Sequence, residues 1–164
     1  MRNEHNGQNE YQELKETLTE EEYIAARAST LNAHFTSPAI IRGIYAALER
    51  MGFQGGNILE PAMGVGNFFG MLPTTLLGSR LYGIELDSIS GRIAQKLYPM
   101  ANITVAGFET TNQRDFYDVA VGNVPFGNYK VNDRAYNRLG FSIHNYFFAK
   151  SLDQIRPGGI IAYV

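Results

Sequence analysis

The stretch NILEPAMGVGNFFG (57–70) reads as three short elements in succession. NILE (57–60) has the apolar pair of a short strand. Gly64 and Gly66 supply a tight turn, and NFFG opens a short helix that Pro73 ends. A strand that feeds a helix through a glycine turn is the opening unit of a parallel sheet with crossover helices.

The same alternation continues on both sides. Upstream, HFTSPAIIRGIYAALERMG (34–52) predicts a helix capped by Ser37, with Pro38 at the first helical position, where its missing N–H costs nothing. Ile41, Ile44, Leu48 and Met51 recur every three or four residues, and Gly52 stops the run. Downstream, RLYGIEL (80–86) is a strand, Ile89, Ile93 and Leu97 mark a helix closed by Pro99, and NITVA (102–106) is a third strand. YDVAVGN (117–123) is a fourth, nearly continuous in apolar residues. SIHNYFFAKSLDQIRPGG then predicts a helix with Phe148, Leu152 and Ile155 inward and a Pro-Gly-Gly stop, and GIIAYV (159–164) is a fifth strand. A last strand that reaches the final residue suggests a sheet cut short.

The first thirty residues are polar and read as a helical lead-in. Thr19 and Glu22 have the spacing of a capping box, which predicts a helix near 20–29. Residues 31–164 form the expected alternating strand-and-helix domain. With 164 residues, 45% apolar and no cysteine, the chain is an ordinary globular protein without disulfides or thiolate metal sites, and a cytoplasmic location is the default expectation. The polar first ten residues do not look like a signal peptide, and no apolar run approaches the ~20 residues of a membrane helix. A formal charge of −2 excludes a domain that grips nucleic acid by a broad basic face. Any such grip must be local or come from another domain. Lys130, Arg134 and Arg138 offer three cations beside a phosphate backbone, or an ordinary solvated loop. His144 reads as a capping or packing residue.

Ligands of open parallel sheets bind beyond the carboxyl ends of the strands, where strand order reverses. Three features fall at such ends. The turn with Gly64 and Gly66 lets backbone approach a ligand. Glu85, nineteen to twenty-one residues further on, ends the second strand and suits the two hydroxyls of a ribose. Phe69 stands where the dinucleotide fingerprint would have its third glycine, and Glu60 before the turn would repel a pyrophosphate but suit a cation. S-adenosylmethionine, an adenosine joined to an amino acid through a sulfonium, meets these demands. At the fourth strand's end, Asn123 and the carbonyl of Val124 could accept hydrogen bonds from an amino group. Pro125 stiffens the turn, and Phe126 is either a stacking face or core.

The order of HFTSP, LEPAMGVG, GIELD and GNVPFG resembles the N6-adenine-specific DNA methyltransferases, whose [DNS]-P-P-[YF] signature stands here as Asn123-Val124-Pro125-Phe126. The wider wording is similar to methylase modules of large helicase-and-methylase proteins of phages, plasmids and conjugative elements. The resemblance spans roughly Thr30 to Val164. It implies a Rossmann-like class I methyltransferase fold, S-adenosyl-L-methionine as cofactor, and DNA and further domains of the same polypeptide, a helicase among them, as partners. It implies that Phe35 and Thr36 close over the methionine end of the cofactor. Glu60, Pro61, Ala62, Gly64 and Gly66 would surround its amino acid part, and Glu85 its ribose. Phe108 and Glu109 fall at the adenine, with Gly107 where the family has an aspartate. Asn123, Val124, Pro125 and Phe126 would hold a flipped adenine. Two other readings stay open: another planar amine, on a protein glutamine or an RNA base, or a scaffold module without catalysis.

Overall fold

A computed structural model describes residues 11–13, 15–24 and 36–164. Contacts divide the chain into two units, 1–33 and 34–164. In the first, residues 11–13, 15–17 and 20–24 are helical. The capping box is formed: the Thr19 N–H donates to Glu22 Oε2 at 3.1 Å, and the Glu22 N–H donates to Thr19 Oγ1 at 3.2 Å. The remainder of the helix expected to 29 lies outside the described residues.

The second unit starts with helix α1 (Pro38–Arg50), followed by strand β1 (Asn57–Glu60), helix α2 (Asn67–Gly70) and strand β2 (Arg80–Glu85). Helix α3 (Ser88–Leu97), strands β3 (Asn102–Val105) and β4 (Tyr117–Gly122), helix α4 (Ile143–Gln154) and strand β5 (Ile155–Tyr163) complete it. The five strands form one parallel sheet in the order β3-β2-β1-β4-β5. Strand order therefore reverses between β1 and β4, where Ile58 pairs with Val119 and Leu59 with Ala120.

Side-chain alternation along these two central strands splits the core into two layers. Ile58, Val119 and Val121 pack with Ile41, Tyr45 and Leu48 of α1 and Phe68 of α2. Leu59 and Ala120 face the other way, toward Ile143, Tyr146 and Phe147 of α4. Ser37 caps α1, its Oγ accepting the Ala39 N–H at 3.2 Å, with Pro38 in the first turn. Met51, expected inward, is exposed, and Tyr45 takes the buried place. The connection from β3 to β4 carries only a 3-10 turn, Phe108–Thr110, in place of a crossover helix.

Helix α4 corrects the sequence reading most. Phe148 and Leu152, expected inward, are exposed, Leu152 to 65%, while Ile155 is buried as the first residue of β5. The inward face is Ile143, Tyr146, Phe147, Lys150, Ser151 and Gln154. Apolar spacing misled because three of these residues are polar and bring partners with them. Gln154 Nε2 donates to Thr111 Oγ1 at 2.6 Å, and the hydroxyls of Ser151 and Tyr163 lie 2.5 Å apart. Pro157-Gly158-Gly159 does not stop the helix. It lies inside β5, where the pairing with β4 shifts register between Tyr117 and Val119. A side chain at Gly159 would meet the Asp118 carbonyl at 2.7 Å.

Candidate active site

The carboxyl ends of β1, β2 and β4 converge on the glycine turn. Glu60 closes β1 and is 2% exposed. Its Oε2 has no hydrogen-bond partner; among the described residues Gln154 Oε1 is the other buried side-chain atom in that state. Burial, reinforced by the charge of Glu85, pushes the Glu60 carboxyl well above the usual carboxylate range. Gly122, at the end of β4 with φ 148°, lies against it: a Cβ there would stand 3.5 Å from Glu60 Cγ. The ends of β1 and β4 thus touch across the reversal point.

Glu85 at the end of β2 organises the turn. Its Oε2 accepts the Gly64 N–H at 2.6 Å and its Oε1 accepts the Asp87 N–H at 2.8 Å. Burial pushes the Glu85 carboxyl up, and these two backbone donors work against that rise. Each carboxylate oxygen keeps acceptor capacity for a further donor. Asp87 in turn caps α3, its Oδ2 accepting the Ser90 N–H at 2.7 Å.

The two glycines of the turn have different surroundings. Gly64 has φ 56° and open space where a Cβ would point. Gly66 has φ 86°, and a Cβ there would lie 2.5 Å from Tyr98 Cε2. Gly64 therefore leaves the approach to the turn open, whereas Gly66 makes room for a tyrosine. Tyr98 was not singled out in the sequence, and neither was Tyr45, whose hydroxyl donates to the Phe68 carbonyl at 2.9 Å. Tyr45 lies on the buried face of α1 and Tyr98 just past the end of α3, and apolar spacing does not distinguish either from core.

After β3, Gly107 and Glu109 fit together. A Cβ at position 107 would collide with both carboxylate oxygens of Glu109. The Glu109 carboxylate thus fills the volume that a side chain at 107 would take. Phe108 is 3% exposed, with its ring stacked on Phe147 at 5.0 Å, so it braces the turn from the core.

After β4, Val124 is buried in the core, while Asn123 and Pro125 are half-buried. Phe126 is 61% exposed, which excludes the core reading of that ring. His144, near the start of α4, lies beside it with ring centroids 6.1 Å apart. Lys130, Arg134 and Arg138 are exposed on the following loop. Thr36 is half-buried just before the cap of α1, and Phe35 lies outside the described residues, as does His34. Pro61 is buried and Ala62 half-buried behind the turn.

Solved structures share this architecture. An S-adenosylmethionine-dependent methyltransferase from Clostridium acetobutylicum superposes with a TM-score of 0.60 at 14% identity, covering 87% of this chain and 56% of that one. A SAM-dependent O-methyltransferase from Thermotoga maritima gives 0.58 at 16% identity, covering 83% and 48%. The fold is that of the class I methyltransferases.

Two curated proteins are similar in sequence. Defense against restriction protein B of Escherichia phage P1 is 32% identical over 141 residues, which is 82% of this chain and 6% of that protein. Type II methyltransferase M.CvrRI of Paramecium bursaria Chlorella virus XZ-6E is 33% identical over 93 residues, 56% of this chain and 24% of that protein. The chain thus spans less than a quarter of either relative's length. No family model matches it. Within the class I fold, the reversal between β1 and β4 is the expected ligand crevice, and Glu60, Glu85 and Gly64 meet there. No described helix is long and apolar enough to cross a membrane.

Proposed function

We propose that this chain is an S-adenosylmethionine-dependent methyltransferase domain whose acceptor is the exocyclic N6 amine of adenine in DNA. The observation that carries the reading is the buried, unpartnered carboxyl of Glu60 beside a glycine turn anchored by Glu85. An orphan acceptor in a buried site calls for a donor, and a cationic one relieves its desolvation best. The amino acid part of the cofactor offers an ammonium and a sulfonium. Glu60 would face that part, with Gly64 leaving the approach open, and Glu85 would take the ribose hydroxyls. Glu109 stands in for the missing side chain at 107 and would accept from the adenine amine.

The sulfonium supplies a methyl group that is already activated. The protein's own work is therefore placement and polarisation. Asn123 Oδ1 and the Val124 carbonyl would accept the two N6 hydrogens of the acceptor, turning the nitrogen lone pair toward the methyl. Phe126 presents an exposed ring to a base taken out of the stack, worth about 1–3 kcal/mol per base. Lys130, Arg134 and Arg138 would meet the backbone beside that base.

The choice of DNA draws on two relatives, one named a type II methyltransferase and the other for defence against restriction. Further domains, a helicase among them, would supply the remaining grip. Calorimetric titration of S-adenosylmethionine into the chain tests the cofactor, and tritium transfer from labelled cofactor to DNA, RNA and protein tests the acceptor. Label in adenine of DNA is expected. Label confined to RNA or to protein glutamine overturns the DNA assignment, and absence of cofactor binding leaves a scaffold.

A further inference from the structure

Lys150 is 4% exposed in the middle of α4, and nothing in the proposed methyl transfer uses it. Its ammonium donates to Asp133 Oδ2 at 2.7 Å and to the main-chain carbonyl of Glu109 at 3.0 Å. It also lies 5.6 Å from the ring centre of Phe108 and 5.7 Å from that of Tyr136. One cation thus touches two segments that are remote in sequence. Glu109 belongs to the turn after β3, whose carboxylate fills the place of a side chain at 107. Asp133 belongs to the loop after β4, which carries Phe126, Lys130, Arg134 and Arg138.

Asp133 is well set to pass a displacement on. Its Oδ2 also accepts the Tyr146 hydroxyl at 2.8 Å, its Oδ1 accepts the Ala135 N–H at 3.0 Å, and its own N–H donates to Asn137 Oδ1 at 3.0 Å. The loop is therefore knotted around this carboxylate. A buried ion pair adds little to stability over apolar residues of the same volume, so position is what such a pair supplies.

We propose that Lys150 is a positioning residue that couples the turn after β3 to the loop after β4, so that the cofactor side and the acceptor side of the site are set together. The functional meaning of the two sides rests on the methyltransferase reading, but the coupling itself can be measured without it.

Amide hydrogen exchange on the 164-residue chain provides the test, comparing the native protein with Lys150→Met and Asp133→Asn. Asp133→Asn keeps the side-chain shape and lies on the acceptor loop. Its effect is expected to reach residues 108–111 through Lys150, so that both segments exchange faster together. S-adenosylmethionine, to which the proposed site assigns no contact from Asp133, should then bind roughly five- to tenfold more weakly, in the range of ordinary site-to-site coupling. Lys150→Met should loosen both segments further; if it does not fold, Asp133→Asn still decides. Loosening confined to 127–140, with 108–111 and cofactor affinity unchanged, overturns the proposal. If exchange is coupled but the native chain binds no S-adenosylmethionine, the coupling stands and the methyltransferase reading falls.

Discussion

Tyr98 lies across Gly66: its hydroxyl donates to the Gly66 carbonyl at 2.8 Å, and its ring occupies the space where a Cβ at 66 would point. The tyrosine follows α3, while the glycine opens α2, so one contact fixes the glycine turn from the far end of the next βα unit. Tyr98→Phe should lose about 1 kcal/mol, the net worth of one hydrogen bond. Gly66→Ala meets both the positive φ and the ring, and should cost about 2–4 kcal/mol. Urea denaturation of the two variants checks the order.

Glu60, as the proposed partner of the cofactor's amino acid part, should make cofactor binding depend on pH. Its folded-state affinity for a proton exceeds that of an unfolded glutamate, near pH ~4.3. The stability it contributes is full below that value and is lost as pH rises through the raised folded value. A cationic ligand favours the ionised form, so binding should expel a proton and tighten as pH rises. Calorimetry in two buffers of different ionisation enthalpy reads the proton directly. Glu60→Gln should abolish the release, weaken S-adenosylmethionine and raise the urea midpoint at neutral pH.

Glu109 and position 107 should be exchangeable. Glu109→Ala removes the carboxylate and should weaken S-adenosylmethionine by about 1.5–3 kcal/mol, the range for a hydrogen bond to a charged group. Gly107→Asp alone displaces the Glu109 carboxylate, the end of a flexible side chain, and should cost little stability while weakening S-adenosylmethionine. The double variant Gly107→Asp/Glu109→Ala should recover much of the affinity. Equal affinity for the native protein and Glu109→Ala would remove Glu109 from the site.

The acceptor side separates from the cofactor side by substitution. Asn123→Ala should leave S-adenosylmethionine affinity within about twofold, as expected of an interaction made chiefly in the transition state, and abolish transfer. Phe126→Ala should raise the acceptor KM by roughly 1–3 kcal/mol of lost stacking. Steady-state kinetics separates the two, and retained turnover by Asn123→Ala would exclude the proposed polarisation.

Much of this frame can be read from residue order. Strand β1, the cap of α1 by Ser37 and the Thr19–Glu22 box follow from short-range rules, in which each partner lies within a few residues. The meeting of Glu85 with Gly64 follows from the parallel topology alone. Other features depend on partners chosen in space. Lys150 is inward because Asp133 is there, and Leu152 is outward although it is apolar. Glu109 replaces a missing side chain by reaching back over Gly107, which no linear motif encodes. Phe108 is held by Phe147, nearly forty residues away.

Helix α4 runs into β5 without an intervening residue. A slide by one turn, about 5.4 Å, would strand the ammonium of Lys150 away from Asp133 and pull Gln154 off Thr111. An unpartnered buried ammonium costs several kcal/mol, so the helix has a single seat. An apolar face would have tolerated several. Because β5 starts at the residue after the helix's last, that seat also aligns Ile160 with Val119 and Tyr163 with Gly122. The polar side of α4 therefore acts as a key that selects one alignment of the sheet's edge strand from several of similar hydrophobicity.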